Sequence, residues 1–94
     1  MAFVTVSNWT MDNYDESMIE VAQQKFVPMI KALGATSVSM VRTGDLSMMV
    51  ITHYADSQTA KTASEKIDDI RSQAAAEFSM NLESAQAGEV IAGG

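Results

Sequence analysis

The nine residues Leu46-Ser47-Met48-Met49-Val50-Ile51-Thr52-His53-Tyr54 are the most apolar strand candidate in the chain, and they end beside its only histidine. A strand sends successive side chains to opposite faces. One face here carries Leu46, Met48, Val50, Thr52 and Tyr54, and the other Ser47, Met49, Ile51 and His53. A strand with one wet face would show a polar alternate set, and this one has large apolar groups on both. Each face therefore has to be covered. Helices from a chain this short can cover one side of a four-stranded sheet. A second copy of the chain is the simplest cover for the other.

The flanking segments supply the partners. Phe3, Thr5, Ser7 and Trp9 alternate with Val4, Val6 and Asn8, predicting a first strand. Asn13 followed by Glu16 resembles a capping box, opening a helix with Met18, Ala22, Phe26, Ile30 and Leu33 on one stripe. Pro28 inside that helix should kink it, and Gly34 should end it. Ala35 to Thr43 reads as a second strand, joined to the third by a turn at Thr43-Gly44-Asp45. Asp56 or Ser57 can cap a second helix with the stripe Ala60, Ala63, Ile67, Ile70, Ala74 and Phe78, broken near Ala74 to Phe78. Residues 85–92 form a weak last strand, and Gly93-Gly94 a tail.

The order strand, helix, strand, strand, helix, strand gives an α+β, ferredoxin-like βαββαβ domain over residues 1–94. Ninety-four residues suffice for one core. In the expected sheet, strands one and three lie side by side and parallel. Asn8-Trp9 and His53-Tyr54 would then reach the same end, beside both helix N-termini. Gln86 could join them, and Arg42 would lie at the far end. His53, the one side chain that ordinarily titrates near neutral pH, is the candidate general base, and Tyr54 a hydrogen-bond donor. Trp9 could stack on a flat substrate while Asn8 orients it. The plainer alternatives are a hydrogen-bonded end-of-strand histidine, a packing tryptophan and tyrosine, and turn chemistry for Asn8. Met40, Met48 and Met49 would line an apolar pocket or fill core gaps.

Charge and composition remove other classes. A net charge of −6 with only six basic residues argues against nucleic-acid or anionic-membrane partners. No apolar run approaches the roughly 20 residues of a membrane span. One histidine, no cysteine and no ligand spacing give no reason to expect a metal, and no nucleotide fingerprint suggests a cofactor. With no basic leader before an apolar run, a cytoplasmic protein is expected.

In length, element order, two-faced sheet and tryptophan-bearing first strand, the chain resembles the dimeric α+β barrel superfamily, in particular proteins similar to antibiotic-biosynthesis monooxygenases. The resemblance implies a homodimer with sheets packed face to face and a pocket between sheet and helices in each subunit. Some members oxidise polycyclic phenols without metal or flavin, which implies cofactor-independent oxygenation of a flat phenolic or enolic substrate here. Others degrade haem with a first-strand Asn, a Trp and a His on the second helix. Asn8 matches the first, but the second helix has no histidine, so haem degradation is not expected. Ligand-binding and stress-responsive members imply the alternative, a non-catalytic small-ligand module.

Overall fold

Four strands form one sheet in the order β2-β3-β1-β4, where β1 is Phe3–Met11, β2 Ala35–Gly44, β3 Ser47–Tyr54 and β4 Met80–Glu89. The structure, a computed structural model, describes residues 2–93, so Gly94 of the expected tail lies outside it. Every neighbouring pair is antiparallel. This corrects the parallel pairing expected for β1 and β3. The crossover after β1 returns the chain to the end where β1 began, so β2 runs parallel to β1. The tight hairpin then reverses direction once. β3 must therefore oppose β1, and Phe3 faces Tyr54 while Thr10 faces Ser47.

The hairpin turn is Asp45-Leu46, one residue later than the sequence pattern suggests. Leu46 accordingly leaves the strand face and is exposed. Its carbonyl accepts a hydrogen bond from Met11 N–H at 2.9 Å, which ties the turn to the end of β1.

The first helical stretch opens at Ser17, not at a box built on Asn13 and Glu16. The Asp15 carboxylate accepts from Ser17 N–H at 2.9 Å, which makes Asp15 the residue that organises the entry. The stretch comprises α1 (Ser17–Val21), a π-helical turn (Ala22–Phe26) and α2 (Val27–Lys31). Val27 N–H reaches back five residues to the Ala22 carbonyl. Met18, Ala22, Phe26 and Ile30 recur every four residues, and in a pure α-helix each step of four overshoots a full turn by about 40°. The wider i→i+5 turn takes back part of that rotation and keeps the stripe on one side. Pro28 begins α2, where its missing N–H costs least. Gly34 then closes the segment at φ 108°, a conformation that favours glycine.

The second long helix, α3, runs unbroken from Ser57 to Phe78. The expected break near Ala74 does not occur, because the apolar stripe continues without a glycine or proline to interrupt it. Asp56 caps it, accepting from both the N–H and the hydroxyl of Thr59 at 2.8 Å. Ser79 stops it in the left-handed conformation at φ 53°, and β4 starts at once, five residues before the expected strand. No helix among the described residues is long and apolar enough to cross a membrane.

Helices and sheet enclose the core on one side only. Phe26, Ile30, Tyr54, Ala60, Ala63 and Ile70 form one cluster, and Trp9, Met11 and Met80 a second. The Phe26 and Phe78 rings, 5.2 Å apart, join the π-helical turn to the end of α3. The Lys25–Glu77 ion pair at 2.8 Å reinforces the same seam.

Candidate functional site

The alternation of β1 and β3 sorts the four candidate residues. Trp9 and Tyr54 point toward the helices and are buried, at 4% and 2% exposure. Asn8 and His53 point to the opposite side of the sheet. There Asn8 sits across from Met49 and donates from Nδ2 to Ser84 Oγ at 3.1 Å. His53 is exposed and sits across from Val4 on one side and Ser37 on the other. The antiparallel ladder also separates the pairs along the strands. Asn8-Trp9 lies toward the β2–β3 turn and His53-Tyr54 toward the other end. The structure therefore does not bring Asn8, Trp9, His53 and Tyr54 together. The two helix N-termini likewise fall at opposite ends. Gln86 lies across from Val6 rather than beside His53.

What the fold does build is a cavity of about 330 Å³ between the sheet and the helices. Trp9 and Ser7 from β1, Val50 and Thr52 from β3, Phe26 from the π-helical turn and Phe78 from α3 form much of its wall. Five methionines, Met11, Met18, Met40, Met48 and Met80, line it as well. Their unbranched, polarizable side chains make an adaptable surface. Met40 and Met48 thus occupy the expected lining, whereas Met49 projects to the outer face opposite Asn8. Trp9 presents its ring to this space with its Nε1–H already satisfied by Ser7 Oγ at 2.8 Å.

No carboxylate, lysine or histidine lines the cavity among the described residues; its charged liners are Arg42 and Arg71. These are also the chain's only arginines. The guanidinium of Arg42 lies 3.7 Å over the Tyr14 ring and donates to the Asp45 carbonyl at 2.9 Å, closing the end near the hairpin. Arg71 comes from α3 and is half-buried. A second recess of about 270 Å³ adjoins it, with Thr5, Tyr54 and Ser64 in its wall. Thr5, Ile67 and Arg71 border both spaces. Burial raises the Tyr54 phenol above its usual pKa, while the positive charge of Arg71 acts in the lowering direction.

Arg42 and Arg71 were hard to find by pattern. Arg42 was assigned to the far end from the cluster, which in the antiparallel sheet is the Trp9 end. Arg71 reads as part of a solvated helix face. Its place directly after Ile70 and four residues beyond Ile67 puts it at the margin of the apolar stripe, the one signal that it could reach inward.

On the other side of the sheet, Val4, Val6, Met49, Ile51 and Val41 form an apolar surface, with Val41 42% exposed. The helices do not cover it.

No protein-family model matches the chain, and no curated protein matches it in sequence. Solved structures do match it in shape. Rv0793 from Mycobacterium tuberculosis superposes with a TM-score of 0.71 at 7% identity, over 99% of this chain and 98% of that one. A dimeric ferredoxin-like protein from an uncultured marine organism gives 0.71 at 11% identity, over 99% and 97%. SnoaB from Streptomyces nogalater, a cofactor-independent oxygenase, gives 0.66 at 13% identity, over 98% and 95%. Likeness at such low identity speaks for architecture alone. The chain has the ferredoxin-like fold of the dimeric α+β barrel proteins.

Proposed function

We propose that each subunit is a single domain that binds a flat, apolar small molecule in the cavity beside Trp9, and that two subunits pack through their outer sheet faces. The observation that carries the ligand reading is the cavity itself. At about 330 Å³ it falls at the lower end of small-molecule sites, and its wall is apolar with a few placed polar groups. The dimer reading rests on the uncovered apolar face of β1, β2 and β3. A protein with the same fold over 97% of its length is described as dimeric. In such a dimer Asn8 and His53 are interface residues.

The enzymatic form of this reading is cofactor-independent oxidation of a phenolic or enolic substrate, favoured by the shared fold of SnoaB. Trp9 would stack on the substrate, and Tyr54 would border it from the Arg71 end. His53, behind the sheet, is not placed to take a proton from a ligand in its own subunit's cavity. The substrate must then ionise in water or lose its proton to solvent at the cavity mouth. The test is a panel of anthrones and polycyclic phenols, followed by Trp9 quenching and O₂ uptake in chelator-treated buffer. Binding with O₂ uptake supports the oxygenase, and binding without it the ligand module. No binding across the panel overturns both.

A further inference from the structure

The cavity and the adjoining recess meet at a cation. Arg71 borders both, together with Thr5 and Ile67. Apolar walls lie on one side of this junction, and the hydroxyl-bearing Thr5, Tyr54 and Ser64 on the other. Resting on the small-ligand reading above, we infer that the ligand is an amphipathic anion. Its apolar body lies beside Trp9, and a carboxylate at its end meets the Arg71 guanidinium.

Arg71 is favoured over Arg42 by what each already holds. The guanidinium of Arg42 is stacked on Tyr14 and hydrogen-bonded to the Asp45 carbonyl, and the residue is exposed. Arg71 is half-buried. Its nearest carboxylate, Asp68, stands 3.8 Å away with a side chain 86% exposed. That contact is beyond hydrogen-bonding range, and solvent competes strongly for so exposed a group. An arginine fork can hold a carboxylate through two parallel hydrogen bonds. Both other spaces around the junction favour the same polarity: the cavity contributes no acidic side chain among the described residues, and the recess contributes only Asp68. The chain as a whole carries −6, so a preference for an anion has to arise from this local pair of arginines.

The test compares anthracene-2-carboxylate with anthracene-2-carboxamide, which have the same shape and differ in charge. Affinities come from calorimetry, and quenching of Trp9 locates the binding. Wild type should hold the carboxylate about tenfold or more tighter, as a charge-assisted bond implies. Arg71→Gln should abolish that difference and leave carboxamide affinity unchanged, while Arg71→Lys retains part of it and Arg42→Gln retains most. Equal affinity of wild type for the two probes overturns the anion inference and leaves the cavity reading standing. Loss of selectivity in Arg42→Gln instead of Arg71→Gln overturns the placement. Failure of both probes to quench Trp9 overturns the cavity reading with it. The wild-type comparison needs no variant to fold.

Discussion

Ser7 and Trp9 stand two places apart on the same face of β1, and Ser7 Oγ accepts the Trp9 indole N–H at 2.8 Å inside the buried wall of the cavity. An indole has one donor and no acceptor, so this bond fixes the only polar atom of the ring. It also leaves the ring face free for stacking.

Ser7→Ala removes the acceptor and leaves a buried donor behind. A loss of about 1–2 kcal/mol is expected, and a shift in Trp9 emission with it. Chemical denaturation and fluorescence spectra measure both. Unchanged stability and emission would mean that the bond does not hold the ring.

The outer sheet face yields a prediction about assembly. Ile51→Glu places a charge among Val6, Met49 and Val41, where a partner sheet would have to desolvate it. Sedimentation should show the wild type as a dimer and the variant as a folded monomer. A wild type that sediments as a monomer at micromolar concentration would leave the face-to-face arrangement without support.

His53 separates binding from assembly. Because it projects away from the cavity, His53→Gln should change probe affinity by less than roughly twofold, as expected for distant, uncoupled sites. The same substitution should weaken the dimer. A large fall in ligand affinity with assembly intact would reverse this assignment.

Gly34 and Thr59 lock the start of β2 against α3. A Cβ at Gly34 would come within 2.7 Å of Thr59 Cγ2, and the residue holds φ 108°. Gly34→Ala should therefore cost about 2 kcal/mol or more through strain and crowding. Thr59→Ser in the same chain should relieve only the crowding part, because the backbone angle is unchanged. Thermal melts of the single and double variants separate the two.

Tyr54 gives a pH dependence. Its phenol pKa is raised in the folded protein, chiefly by burial. The folded state then holds this proton more tightly than the unfolded chain. The associated stability is complete below the unfolded value of about 10 and is lost as pH rises through the folded one. Tyr54→Phe should match wild type near neutrality and show a smaller loss between pH 9 and 11. Parallel melting curves across that range decide it.

Local chemistry was the legible part of this fold. The two-faced reading of residues 47–54, the helical stripes through Phe26 and Ile70, the Asp56 cap and the Gly34 stop all rest on interactions within a few residues of sequence. β4 was hidden in its first half because Met80–Glu89 has no β-branched residue and lies at a sheet edge. A bulge between Asn8 and Trp9, opposite Glu83, further spoils its alternation. Ser79 gave no warning of a helix end because glycine or asparagine usually takes that left-handed position. The site was misplaced for a different reason. Strand direction is a property of the whole connection, and one reversed pairing moved His53 to the end opposite Trp9. The same reversal brought Arg42, set aside as remote, to the Trp9 end.

The π-helical turn at Ala22–Phe26 makes this part of the chain count its residues. Deleting one residue from it would let an ordinary helix form, but would rotate everything downstream by about 100° and pull it back by one rise. Phe26 and Ile30 would swing off the core, and Gly34 would arrive early at its close approach to Thr59. An inserted residue would err in the opposite direction. Length variation should thus be far better tolerated at the Asp45-Leu46 turn than in this helix, although the turn sits in the middle of the sheet's main hairpin.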